Sequence, residues 1–190
     1  MEDRRFASAA ERRRQPLRRQ PAPMIACLDV HYRESGAVAA SVLARDWMSD
    51  QVLHEATVAI PDVHPYVPGQ FFKRELPCLL LALEQLPAAP AVIVIDGYVW
   101  LGGDHEPGLG ARLFEELKRS VPIVGVAKNR FRAGDGALEV LRGGSRRPLY
   151  VSAAGIDQQE AARHVGRMHG PHRLPTLLRR VDRLCRSAGA

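Results

Sequence analysis

Two short apolar runs, each ending on an aspartate, constrain this chain more than anything else in it. Met24 to Leu28 leads into Asp29, and Ala91 to Ile95 leads into Asp96-Gly97. Continuous runs of Val, Ile and Leu this short read as strands buried on both faces, which requires helices on each side of a sheet. A carboxylate at the end of such a strand is costly to bury alone, so it is paired, hydrogen-bonded or held on a cation. Taken singly, each Asp reads as a strand cap or the start of a turn.

A third acid changes the balance. Pro65-Tyr66-Val67-Pro68-Gly69-Gln70-Phe71-Phe72-Lys73-Arg74-Glu75 begins as a stiff loop, because each proline ring fixes φ and removes a backbone donor. Gly69 then lets the chain turn into an apolar helix running from about Gln70 to Leu86. Its expected apolar face is Phe71, Phe72, Leu76, Leu79, Leu80 and Leu83, with Pro77 either kinking it or displacing its start. Glu75 thus stands about one turn past a rigid aromatic tip. Together, Asp29, Glu75 and Asp96 favour a divalent-metal site built from hard oxygen ligands.

The remaining elements follow from periodicity and turn signals. Met24–Tyr32, Ala37–Ala44 and Val52–Ile60 read as three strands joined by short turns, an antiparallel meander. After Ala91–Asp96 comes a glycine-rich loop to Gly110, then a helix at Ala111–Arg119 and a strand at Ile123–Ala127, a unit that implies parallel pairing. Ala137–Leu141 and Leu149–Val151 are short strand candidates, and helices at Asp157–Met168 and Pro175–Arg186 finish the chain. The fold class is α/β, a mixed sheet flanked by helices. No repeat period is visible.

Charge is distributed unevenly over the 190 residues, whose net charge is +6. Residues 1–23 carry +4, residues 24–160 carry −4 and residues 161–190 carry +6. An acidic body with basic ends suits a metal-binding centre with arms for a polyanion, although solvated charge would look the same. Arg12-Arg13-Arg14 and Arg18-Arg19, interspersed with Pro16, Pro21 and Pro23, make 1–23 a disordered basic arm and 24–187 the folded domain. Cys27, Cys78 and Cys185 form no CxxC, which argues against zinc and for a reducing, cytoplasmic setting. Neither a membrane-length apolar run nor a signal core is present, so no membrane partner is expected; the chain is expected to be a monomer.

Five segments carry a resemblance. Leu28-Asp29-Val30-His31-Tyr32, the Pro65–Gly69 loop with Arg74-Glu75, Ile95-Asp96-Gly97, Val124-Gly125-Val126-Ala127-Lys128 and Tyr150-Val151-Ser152 occur in the order of the endonuclease V family. The chain resembles these ribonuclease H-like enzymes, which cut DNA or RNA near deaminated bases such as deoxyinosine, over roughly Ile25 to Leu184. The resemblance implies a ribonuclease H-like sheet, a role in DNA repair, and Mg²⁺ (or Mn²⁺) on Asp29, Glu75 and Asp96. It gives Lys128 a catalytic role at the scissile phosphate. It makes Tyr66 and Pro68 part of a strand-separating wedge, with Gly69, Phe71 and Gly97 lining the pocket for the flipped base. An aromatic wedge is worth roughly 1–3 kcal/mol per stacked base. Phe71 reads equally well as a core residue on its helix.

The sequence departs from the family in two places. The family follows its Tyr-Val-Ser segment with a glycine-histidine pair, and that histidine belongs to the catalytic centre. Here Ser152-Ala153-Ala154-Gly155-Ile156-Asp157 has none, with Gly155 in its place. The loop after Asp96-Gly97 is longer than the family's and offers only His105, while His169 and His172 lie near the last helix. The expectation is therefore a slow enzyme that keeps its base preference. The alternatives are a homologue that binds inosine-containing nucleic acid without cutting it, or another metal-dependent nuclease or phosphotransferase on the same fold.

Deleting residues 1–23 should lower the salt dependence of nucleic-acid binding while leaving base preference intact, because each phosphate contact contributes about 0.9 to the log–log slope. A filter-binding titration over salt reads this directly, and an unchanged slope would remove the arm from the interface.

Overall fold

Ile25, Ala26, Cys27 and Leu28 are all completely buried, so the first apolar run does face packed layers on both sides. In the computed structural model, which describes residues 24–65, 67, 70–102, 106–131 and 136–188, it forms β1 (Ile25–Arg33). Antiparallel to it runs β2 (Gly36–Ala44), and β3 (Val52–Ile60) extends the meander to the sheet edge. On the other side of β1 lie β4 (Val92–Asp96) and β5 (Ile123–Ala127), both parallel to it. Then β7 (Leu149–Ala154) and β6 (Leu138–Val140) close the sheet antiparallel, in the order β3-β2-β1-β4-β5-β7-β6. The expected meander and parallel unit both form. The N-terminal arm, Tyr66, Pro68, Gly69 and His105 lie outside the described residues.

Four helices cover the two faces. Helix α1 (Phe71–Glu84) and helix α2 (Leu109–Glu116) pack on one face, burying Leu79, Ala82 and Leu113 against Ala26, Leu28, Ile93 and Ile95. Helices α3 (Gln158–Arg167) and α4 (Thr176–Ser187) pack on the other, with Val165, Leu177, Val181 and Cys185 against Cys27, Val94, Val124 and Val151. Asp157 caps α3, its carboxylate accepting the Glu160 N–H at 2.9 Å.

Two elements, β7 and α2, differ from the sequence reading, and α1 settles a point it left open. Strand β7 continues through Ser152-Ala153-Ala154, because full-length pairing with β5 overrides the weak strand propensity of alanine. Helix α1 accommodates Pro77 inside it and starts at Phe71. Helix α2 begins two residues earlier than expected and stops at Glu116, after which Lys118 and Arg119 adopt φ of 53° and 58°, the left-handed conformation of a helix terminus.

One glycine decides how the loop after β4 lies over the sheet. A Cβ on Gly125 would stand 2.5 Å from the Gly97 carbonyl oxygen and 2.9 Å from the Val99 nitrogen. Its absence lets the 97–99 backbone rest on β5, where the Val99 N–H donates to Ser152 Oγ at 2.8 Å. The Trp100 indole N–H donates to the Ala153 carbonyl at 2.9 Å and holds the next stretch. Gly125→Ala should therefore cost about 1–3 kcal/mol through overpacking. A thermal melt should show a lowered midpoint, and an unchanged Tm would mean the loop is not held by this contact.

Candidate metal centre

Side chains alternate across a strand, and that alternation selects the site. On β1, Ile25 and Cys27 face α3 and α4, so Asp29 faces the same way. On β4, Val92 and Val94 share that face, and so does Asp96. The parallel register pairs Leu28 with Ile95, so Asp29 and Asp96 stand side by side at the strand ends. Val124 and Val126 on β5 lead by the same alternation to Lys128, whose ammonium donates to Asp96 Oδ2 at 2.6 Å. Helix α1 lies on the opposite face, yet Glu75 is buried near its start, close enough to Asp29 and Asp96 for the three charges to interact.

A fourth acid, absent from the sequence reading, completes the group. Asp182 on α4 stands 3.5 Å from the Lys128 ammonium and is bridged by Arg186 one turn on, at 3.2 Å. A signal for it exists in the sequence: Asp182 is the only acid in residues 161–190. It also follows directly on Val181 in the stripe Leu178–Val181–Cys185 that faces the sheet.

Electrostatics mark these groups off from the rest of the surface. Burial, then the neighbouring Asp29 and Asp96, pushes the Glu75 carboxyl up to about 9. Burial and Asp96 likewise raise Asp29 to about 7, although the Val30 N–H at 2.9 Å and Lys128 act the other way. For Asp182, burial is outweighed by Arg186 and Lys128, which hold it below the usual carboxylate range. Burial opposes the charge on Lys128, but Asp96, Asp182 and Asp29 outweigh it and raise its pKa. Asp29, Asp96 and Lys128 line a pocket of about 10 Å³ with Leu28, Val126 and Val181. That is room for about one water-sized body.

The donor set suits a hard divalent cation. Glu75 Oε2 is buried with no hydrogen-bond partner, and raised carboxyl groups of this kind are what a cation reverses. Among the described residues no three acidic, histidine or cysteine side chains already stand close enough to hold an ion, and the Lys128 ammonium bridges Asp96 and Asp182 instead. The three cysteines are free and buried, with Cys27 and Cys185 raised to about 12 and Cys78 to about 11 by burial. Cys27 and Cys78 pack in the apolar layers, while the Cys185 thiol lies 3.8 Å from Asp29 Oδ2.

Other sequence candidates fall into place around the centre, or away from it. Gly97 follows Asp96 with φ of 137° and open space where a Cβ would be. Phe71 is 45% exposed and meets Tyr32 edge-on at 6.4 Å, so it is not a core residue. His169 bonds Thr176 at 3.0 Å, and neither it nor His172 lines the acidic pocket. Gly155 is the clearest correction. Strand β7 runs antiparallel to β5, pairing Tyr150 with Ala127 at the acidic end and Ala154 with Ile123 at the other. Gly155 therefore lies about 13 Å or more from the centre, at ~3.3 Å per residue. It has φ of 77°, and a side chain there would meet Phe114 at 2.8 Å. The absence of a histidine at Gly155 takes nothing from this centre.

A mixed sheet of this order, with carboxylates at the ends of two central parallel strands and a fourth on the last helix, is a ribonuclease H-like architecture. The sequence profile of endonuclease V matches residues 7–142, beginning inside the basic arm. Endonuclease V of Streptomyces coelicolor is 34% identical over 182 residues, covering 85% of this chain and 77% of that protein. The crystal structure of endonuclease V from Streptomyces avermitilis superimposes with a TM-score of 0.73 at 31% identity, over 88% of this chain and 82% of that one. The Ciona intestinalis endonuclease V, solved with a 24mer DNA containing an inosine followed by a ribo-adenosine, shares the fold at 19% identity and a TM-score of 0.70, over 86% of this chain and 84% of that one. The chain belongs to the endonuclease V family.

Glu75 makes a prediction about stability. Its folded pKa of about 9 lies above its ordinary 4.5. Below the ordinary value both states are protonated; as pH rises toward 9 only the unfolded state gives up its proton, and the fold is progressively destabilised. Metal-free protein should thus lose stability between about pH 5 and pH 9, and Glu75→Gln should remove much of that loss. At alkaline pH in chelator the variant should melt several degrees higher, at about 2–4 °C per kcal/mol for a chain of this size. Parallel Tm–pH curves for the two proteins would refute the burial argument.

Proposed function

We propose that the protein is a metal-dependent endonuclease that cuts a phosphodiester bond near a deaminated base, with deoxyinosine or inosine in DNA or RNA as the lesion. The observation that carries this reading is the gathering of Asp29, Asp96 and Asp182 around Lys128, with Glu75 buried within electrostatic reach of Asp29 and Asp96, in a chain of the endonuclease V family. The DNA bound by the Ciona relative supports inosine as the recognised base. Cleavage of a phosphodiester needs negative charge neutralised on the phosphoryl oxygens and a water oriented for attack.

Asp29, Glu75 and Asp96 would hold Mg²⁺ or Mn²⁺, which supplies Lewis-acid polarisation of the phosphate and a more acidic water when bound. The carboxylates would hold the ion and, through their free oxygens, orient the attacking water. Lys128, kept charged by three aspartates, reaches the scissile phosphate and offsets the charge that builds on it. Asp182 positions Lys128 and adds a fourth oxygen donor to the group. Leu28, Val126 and Val181 flank the group with apolar surface, which lowers the local dielectric and strengthens these interactions.

Base selection falls to the loop ahead of α1. By motif position Tyr66 and Pro68 form the wedge, and Gly69, Phe71 and Gly97 border the base pocket. The exposed Val67 and Phe71, 43% and 45% accessible, support an apolar contact face there. Extraction of a mispaired base costs less than that of a paired one, which favours lesions physically. Among the described residues no helix is long and apolar enough to cross a membrane, and a monomer acting in the cytoplasm on DNA or RNA completes the proposal.

A nicking assay tests it. With Mg²⁺, the protein should cut a duplex carrying one deoxyinosine and spare the same duplex with guanine. Asp96→Ala should abolish cutting, and Asp182→Asn should slow it by about 10²-fold or more, as expected for a lost group that orients the reacting partners. Equal cutting of both duplexes would make the protein a general nuclease. Undiminished cutting by Asp96→Ala would displace the centre from β1 and β4.

A further inference from the structure

Helix α4 carries arginines at 179, 180, 183 and 186, all exposed, and they do not serve the same purpose. Arg180 pairs with Glu55 on β3, and Arg186 pairs with Asp182. Among the described residues, Arg179 and Arg183 have no carboxylate, carbonyl or ring partner. They stand one turn apart on the same side of the helix, where like charges repel and weaken it. A fold that keeps two such cations side by side has use for an anion between them.

The surroundings define what kind. Arg179 and Arg183 line an open groove of about 620 Å³ together with His172, Leu174 and Asp182. Leu174 also lines the acidic pocket, and Asp182 stands 3.5 Å from Lys128, so the groove opens directly onto the proposed centre. Its far wall is rigid. The buried Arg142 guanidinium donates to the carbonyls of Met168, Gly170, His172 and Arg173, and Arg173 in turn donates to the Lys128 and Pro148 carbonyls. A prebuilt wall lowers the ordering cost of binding. Four residues of helix span about 6 Å, roughly the axial length taken by two phosphates of one strand, at 3.4 Å each.

We infer that the α4 groove is a phosphate track: Arg179 and Arg183 hold two backbone phosphates of the nucleic-acid strand next to the one that Lys128 contacts. The inference rests on the proposed nuclease reading for its direction, since it runs the strand from the acidic centre along α4. It separates two working arginines from the four, Arg142, Arg173, Arg180 and Arg186, that hold the protein together. Recognition here is of charge and spacing, with no base read.

The test is a salt titration of binding by the full chain to a deoxyinosine duplex and to the same duplex with guanine, in Ca²⁺ so that neither is cut. Arg179→Gln/Arg183→Gln should lower the log–log slope by about 1.8, at about 0.9 per phosphate, on both duplexes alike, with the inosine-to-guanine affinity ratio retained. A control pair, Arg163→Gln/Arg167→Gln on α3, removes equal charge outside the groove and should change the slope by less than half as much. The substitutions relieve a repulsion on an exposed face, so Tm should hold or rise, and a melt verifies the fold. An unchanged slope, or an equal fall in the control pair, overturns the track. A parent that binds both duplexes equally, with the slope still falling in the α4 variant, defeats the inosine reading and leaves the track standing.

Discussion

The parallel pairing of β1 with β4 is the constraint on which everything else depends. It brings two strand ends together in a register that makes Asp29 and Asp96 neighbours on one face. A slip of one residue would turn one of them to the opposite face, because the side-chain period of a strand is two. The register is held by burial: Ile25 to Leu28 and Val94 and Ile95 are inaccessible to solvent, and any shift would expose apolar surface worth about 25 cal/mol per Å². The most hydrophobic part of the protein thus specifies the placement of its most polar.

That arrangement is held against an electrostatic cost. Carboxyl groups at about 7 and about 9 in the folded chain are groups the fold would rather keep neutral. Lys128 relieves part of this strain through Asp96 and Asp182, and Arg186 relieves another part through Asp182. Glu75 is relieved by neither, and its orphaned oxygen is the observation that most supports the proposed cation. Stability is set aside at the centre and recovered in the two layers around it, where α1 and α2 on one face and α3 and α4 on the other bury the sheet.

The loop after β4 shows how a backbone contact can serve a site without touching its chemistry. Gly125 on β5 and Ser152 on β7 are register partners, one making room for the loop and the other receiving its Val99 N–H. Two of the motifs that resemble the family, Val124–Lys128 and Tyr150–Ser152, therefore act at two levels. One end of the first carries the lysine of the centre, while its Gly125 and the Ser152 that ends the second hold the backbone that follows Asp96.

Strand positions, the α1 start and three of the four acids were legible in the sequence, because they depend on local pattern: short apolar runs, turn residues and a proline-stiffened loop. Phe71 was ambiguous, since helical periodicity alone does not say that the first turn of α1 projects beyond the sheet. Asp182 left only a local hint, and neither it nor Gly155 could be placed from the sequence, for a stronger reason. Which end of the sheet a residue reaches depends on strand direction, and β7 runs antiparallel to β5, carrying Gly155 away from the acids although it follows a family motif directly. Asp182 reaches the centre only because α4 packs across β1 and β2 after the chain has crossed the whole sheet. Local periodicity by itself determined a helix-covered mixed sheet with acids at its strand ends. Long-range packing alone decided which acid joined them and which glycine did not, because both depend on contacts between residues far apart in the chain.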